Sequence, residues 1–157
     1  MTIYLVRHGH AGSRSHWSGD DDQRPLSPKG IRQAEYLVDL LGHSGITAIC
    51  SSPSVRCTQT VTPLARKLGL DITECSELAE GTEPEEALAL LFRQAHIAAP
   101  GNVVLCSHGD VIPRVIRRLT ANGMRTTDPN IAQKGSVWEL DYDGEVITAG
   151  RYLLPGT

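Results

Sequence analysis

Apolar residues recur along the chain with two different spacings. Unbroken runs at residues 3–6 (Ile-Tyr-Leu-Val), Ile46–Cys50 and Val103–Cys106 include β-branched members and no polar alternation, the pattern of strands covered on both faces. Between them the spacing changes to that of helices. Ile31, Ala34, Leu37, Val38 and Leu41 share one helical face, with Ser27 as N-cap, Pro28 at the first position and Gly42 as the stop. Cys57, Val61, Leu64, Ala65 and Leu68 define a second helix, with Ser52 as N-cap, Pro53 at its first position and Gly69 at its end. A third is predicted from about Pro84 to Ile97. A fourth carries Val111, Ile112, Val115, Ile116 and Leu119, with Pro113 near enough to its start to be tolerated. Val137–Leu140 and Val146–Tyr152 flank Asp143-Gly144, a hairpin signal.

Strands alternating with helices require right-handed crossovers, so the expected class is α/β. The predicted architecture is a three-layer sandwich: a mainly parallel sheet, an antiparallel edge hairpin and helices on both faces. Two irregular stretches, Gly12–Arg24 with Asp20, Asp21 and Asp22, and Asn122–Gly135, are long for plain connections. Three adjacent aspartates cannot all turn inward, and the run reads as a solvated loop.

Composition narrows the possibilities. The 157 residues are 40% hydrophobic with a single Phe, which suits one domain, residues 1–157, with an aliphatic core. No apolar run approaches about 18 residues and only six residues precede Arg7, so neither a membrane helix nor a secretory signal is expected, and the location expected is cytoplasmic. A net charge of -3 argues against binding nucleic acid through a broad cationic face. Twelve of the 15 basic residues are Arg. Cys50, Cys57, Cys75 and Cys106 show neither CxxC nor zinc-ligand spacing, and without an expected export signal no disulfide is predicted. Cys50 and Cys106 end apolar runs and read as buried thiols.

In open parallel sheets ligands bind beyond the carboxyl ends of the strands. Arg7, His8 and Gly9 follow the first strand; Ser51, Ser52 and Pro53 follow the second, with Arg56 in the first turn of the next helix; Ser107, His108 and Gly109 follow the third. Two Arg and two His thus converge on one sheet edge. Guanidiniums offer paired hydrogen bonds to phosphate oxygens, and imidazole can donate a proton or attack. The set describes a phosphoryl-transfer pocket.

Leu5-Val6-Arg7-His8-Gly9 with the later Ser107-His108-Gly109 resembles the histidine phosphatase superfamily, related to the phosphoglycerate mutases. Ala11 and the run Arg24-Pro25-Leu26-Ser27 resemble the SixA-type phosphohistidine phosphatases. Gly12-Ser13, Ser18-Gly19-Asp20-Asp21, Arg56-Cys57 with Gln59-Thr60, Val111-Ile112-Pro113 and Lys134-Gly135-Ser136 are similar to the histidine-phosphatase domain fused behind MutT-like Nudix hydrolases. The resemblance implies that His8 takes the phosphoryl group as a covalent intermediate while Arg7, Arg56 and His108 hold its oxygens, with no metal and no cofactor. It also implies Glu80 as the leaving-group acid, with Glu77 as runner-up. Gly9, His10 and Arg14 are candidate phosphate contacts, Arg14 standing where many members carry Asn. Lys134 is a candidate for a second phosphate.

An alkoxide leaving group needs a proton donor, whereas imidazole or phosphate leaves with little help. Glu80 therefore bears on substrate class. The leading expectation is a phosphatase acting on phosphohistidine in a signalling or carrier protein, because the stretch from Asp71 to Gly101 holds little beyond one helix and leaves the pocket open. The alternative is a nucleotide-directed phosphatase or diphosphatase, its base between the two irregular loops near Trp17. A non-catalytic phosphate-binding module is the alternative of another class. The expected partners are accordingly a phosphohistidine-bearing protein or a small phosphorylated substrate, with no nucleic acid and no membrane.

Overall fold

In the computed structural model, which describes residues 1–156, six strands form one sheet. In chain order the elements are β1 (Thr2–Arg7), α1 (Pro28–Leu41), β2 (Ile46–Ser51), α2 (Val55–Leu68), β3 (Ile72–Glu74), α3 (Pro84–Ala98), β4 (Asn102–Ser107), α4 (Ile112–Ala121), β5 (Val137–Tyr142) and β6 (Ile147–Leu153). The strand order is β3-β2-β4-β1-β5-β6. The first four of these run parallel; β5 and β6 are antiparallel and close one edge as the hairpin.

Alternate side chains of the central strands feed two cores. Tyr4, Val6, Val104 and Cys106 pack with Leu37 and Leu41 of α1 and Val61 and Leu64 of α2. Ile3, Leu5, Val103 and Leu105 face the other way, against Leu90 and Leu91 of α3 and Ile112 and Ile116 of α4. Strands covered on both faces need no polar alternation, which is why they read as continuous apolar runs. No helix among the described residues is long and apolar enough to cross a membrane.

Several local expectations are corrected. The second helix begins at Val55 with Ser54 as N-cap, not at Pro53 after Ser52, because the Ser52 hydroxyl is engaged with His108 instead of the helix. Ile31 is 49% exposed and lies off the buried face of α1. The fourth helix starts at Ile112, with Val111 as its cap. Strand β3 was not predicted: at three residues on the sheet edge, largely uncovered, it has no hydrophobic period to detect. The Asp20–Asp22 run is not uniformly solvated either. Asp21 lies within salt-bridge distance of Arg14, Arg24 and Arg56.

Candidate active site

Strands β1, β2 and β4 end side by side, so the residues that follow them share one edge. Arg7 pairs in register with Ser107, and Ser51 with Cys106. A cavity of about 240 Å³ opens there, lined by Arg7, His8, Arg56, His108, Glu80 and Lys134, with Gly12, Arg14, Arg24, Gly109 and Asp110 completing the wall. The four residues expected from the strand ends are therefore brought together.

His8 is 6% exposed, and its Nδ1 donates to the Gly9 carbonyl at 2.8 Å. Nδ1 carries the proton in that bond, so Nε2 keeps a free lone pair. Burial lowers the His8 pKa from 6.5 to about 3; the Gly9 bond acts the other way, and His108, Arg56 and Arg7 add to the lowering. At neutral pH the ring is uncharged and nucleophilic. His108 is held from its opposite nitrogen: Nε2 lies 2.8 Å from Ser52 Oγ and 3.5 Å from Cys57 Sγ. Its Nδ1 is buried without a protein partner. Burial raises the Cys57 thiol, but hydrogen bonds with Cys106, His108 and Ser52 outweigh it and lower its pKa.

Arg7 Nε and Arg56 Nε are also buried and unpartnered. Buried N–H groups without acceptors are costly, and the two guanidinium N–H groups, joined by His108 Nδ1 when Nε2 accepts from Ser52, suit an oxyanion ligand. Burial pushes the Arg7 pKa down. One guanidinium nitrogen of Arg7 donates to the Ala132 carbonyl at 2.6 Å, and Gly109 makes room for the rest of it. A Cβ at Gly109 would stand 2.5 Å from Arg7 Cζ, so only glycine fits beside that side chain.

Helix α2 carries Arg56 into the pocket and is tied to the loop after β1 by Thr60. The Thr60 hydroxyl accepts from Gly9 N at 2.9 Å and donates to the Arg56 carbonyl at 2.6 Å. Gly9 thus serves the site through its backbone, with its N–H spent on Thr60.

Glu80 lines the cavity, its oxygens 2.8 Å from Arg14 and 3.4 Å from Arg56. The other acidic candidate, Glu77, turns away to Arg93 at 2.8 Å and is not in the cavity wall. Arg14 lies on the rim, 62% exposed, and its bond to Glu80 raises its pKa. Lys134 is part of the cavity wall. The His10 ring faces Ser27 Oγ at 2.6 Å and lines a neighbouring cavity instead. Trp17 donates from Nε1 to the Asp20 carbonyl and lies outside the wall of the cavity that holds His8.

Sequence reasoning missed Asp21, Arg24 and Asp110. The hydrogen bond from Arg24 lowers the Asp21 carboxyl most, with Arg56 and Arg14 adding to it. Asp110 accepts from Gly81 N at 2.8 Å and so anchors the segment that presents Glu80. Asp110 follows directly on Ser107-His108-Gly109, and that adjacency was a signal available in the sequence.

Residues 3–83 match the family model of the histidine phosphatase superfamily (branch 1). An 8-oxo-(d)GTP phosphatase of Mycolicibacterium smegmatis is 40% identical over 156 residues, covering 98% of this chain and 48% of that protein. The chain spans about half the length of the curated relatives it matches. Among solved structures, the protein histidine phosphatase SixA complexed with tungstate superposes with a TM-score of 0.79 at 19% identity, covering 100% of this chain and 97% of that one. A phosphohistidine phosphatase SixA described from Agrobacterium tumefaciens gives 0.73 at 23% identity, with coverages of 99% and 97%. At such identities the likeness is one of fold.

Proposed function

Since the chain belongs to branch 1 of the histidine phosphatase superfamily, we propose that residues 1–157 act as one phosphatase domain that passes a phosphoryl group through His8 to water. The observation that carries this reading is the state of His8: neutral, with Nδ1 committed to the Gly9 carbonyl and Nε2 without a protein hydrogen-bond partner in a cavity also lined by Arg7, Arg56 and His108. In the first step Nε2 forms a bond to phosphorus as the bond from phosphorus to the leaving-group oxygen or nitrogen breaks. Arg7, Arg56 and His108 donate to the equatorial oxygens as charge shifts among them. Glu80 supplies the leaving group's proton where one is needed. In the second step water attacks phosphorus, the N–P bond breaks and its electron pair returns to Nε2. The water's proton passes to the Glu80 carboxylate, or to solvent where Glu80 took no part.

For the substrate, the comparison that supports a choice is the 40% identity over nearly the whole chain to a protein named as an 8-oxo-(d)GTP phosphatase. We therefore place a nucleotide first. Phosphohistidine on a protein is the second reading, favoured by the uncovered mouth: between β3 and β4 the chain builds only a 3₁₀ turn at Ser76–Leu78 and α3, neither of which roofs the cavity.

Phosphate release should be measured from a nucleoside diphosphate, a phosphohistidine carrier protein and p-nitrophenyl phosphate, with wild type and His8→Ala in parallel. Rapid quenching into alkaline detergent, which preserves phosphohistidine, should trap label on wild type only. Release unchanged in His8→Ala would overturn the catalytic assignment. Binding of phosphate without turnover of any substrate would leave a binding module.

A further inference from the structure

Next to the catalytic cavity lies a larger one of about 650 Å³, lined among others by His10, Lys29, Gln33, Lys134, Leu154 and Pro155. Lys134 is the one side chain common to both walls. The chain has only three lysines, and two of them meet here. No acidic residue lines this cavity, and neither Lys29 nor Lys134 has a carboxylate within salt-bridge distance among the described residues.

The contrast with the opposite wall is informative. There Arg14, Arg24 and Arg56 share Asp21 and Glu80. On the Lys134 side no acidic side chain among the described residues compensates the positive charges. Burial lowers the Lys134 pKa, and Arg7, Arg24 and Lys29 lower it further; His10 is lowered by burial and by Lys134, Lys29 and Arg24. Like charges gathered without a counter-ion are stabilised by an incoming anion.

The backbone beneath Lys134 is fixed against the catalytic strand. Gly135 N donates to the carbonyls of Arg7 (3.1 Å) and His8 (3.0 Å). Gln33 Nε2 donates to the Lys134 carbonyl at 3.1 Å, while Gln33 Oε1 accepts from His10 N at 2.8 Å. Gly135 has φ of +82°, and a Cβ there would meet Gln33 Cδ at 3.0 Å, so the close approach requires glycine. The lysine therefore stems from an anchor registered on His8, not from a free loop. Farther out, Leu154 is 66% exposed and, with Pro155, offers an apolar surface.

We propose that Lys134, backed by Lys29, forms a second anion subsite that holds a phosphate on the leaving group. Resting on the phosphatase reading above, this makes the substrate class a nucleoside diphosphate whose terminal phosphoryl group goes to His8. The other phosphate lies on Lys134, with the nucleoside toward the larger cavity. The bond broken is the anhydride P–O bond and the bond formed is N–P on His8. The nucleoside monophosphate leaves as an anion and takes no proton from the protein, and water then frees inorganic phosphate.

The test is kcat/KM for ADP and for p-nitrophenyl phosphate, which has no second phosphate, in wild type, Lys134→Ala, Lys134→Arg and Lys29→Ala. Lys134→Ala is expected to lower the ADP to p-nitrophenyl phosphate ratio about tenfold or more, mainly through KM. Lys134→Arg should restore most of it, and Lys29→Ala should give a smaller drop in the same direction. An unchanged ratio, or wild type inactive on ADP, overturns the subsite. If p-nitrophenyl phosphate hydrolysis persists in His8→Ala, the phosphatase reading itself has failed. If that hydrolysis depends on His8 while the ratio stays fixed, only the subsite falls.

Discussion

The imidazoles of His8 and His108 meet edge to face, ring centroids 5.3 Å apart and planes at 66°. Each ring is held by one nitrogen and presents the other: His8 through Nδ1 on the Gly9 carbonyl, His108 through Nε2 on Ser52. The two imidazoles are thereby fixed through opposite nitrogens, so each turns a different ring atom away from its anchor.

The anchor on His108 is testable. Ser52→Ala removes the 2.8 Å partner of Nε2 and leaves Cys57, 3.5 Å away, as the remaining contact. A ring that is no longer oriented should lower kcat about tenfold while KM changes less. Steady-state kinetics on p-nitrophenyl phosphate check this, and Ser52→Thr should recover activity. A loss confined to KM would remove His108 orientation as the role of Ser52.

Folding stability should fall on acidification, with His8 as one identifiable source. Its pKa in the folded chain is about 3, against 6.5 for an ordinary histidine, so between those values the unfolded chain binds a proton that the folded chain excludes. The His8 contribution is complete above pH 6.5 and is lost progressively as pH falls toward 3. By pH 4 the loss amounts to roughly 3 kcal/mol. Denaturant melts at pH 7 and pH 4 should therefore show a smaller drop for His8→Asn than for wild type. Equal drops would mean that the buried ring is not kept neutral.

Glu80→Gln separates leaving groups. If Glu80 donates the proton, hydrolysis of an alkyl phosphate should fall about a hundredfold, whereas an anhydride or phosphohistidine should lose only a few-fold. Rates across a series of phosphate esters of graded leaving-group pKa give the slope. A uniform loss across the series would restrict Glu80 to its contacts with Arg14 and Arg56.

Much of this site was legible in the sequence because strand ends are easy to find. Arg7, Ser52 and His108 each follow an apolar run, and a parallel sheet aligns those ends. Pro28 and Pro84 marked helix starts correctly, since proline suits the first turn. The same reasoning misplaced the start of α2, because a serine ahead of a helix can cap it or can turn to another partner, and Ser52 turns to His108. Asp21 escaped notice for a related reason. In sequence it is the middle of an acidic run; only the fold gathers Arg14, Arg24 and Arg56 around it. Glu77 and Glu80, three residues apart, could not be distinguished until one faced Arg93 and the other the cavity.

On the proposed mechanism, Arg56 bears on product release. Its guanidinium is 1% exposed and lies 3.3 Å from Asp21 and 3.4 Å from Glu80, both longer than the 2.8 Å between Arg14 and Glu80. The guanidinium is thus already paired with two carboxylates, and on the proposed mechanism an arriving phosphate takes their place rather than meeting bare charge. The exchange is reversible. On the proposed mechanism, Asp21, and Glu80 once it has returned its proton to solvent, can close back on Arg56 as inorganic phosphate departs, so a pocket rich in arginine need not be choked by its own product.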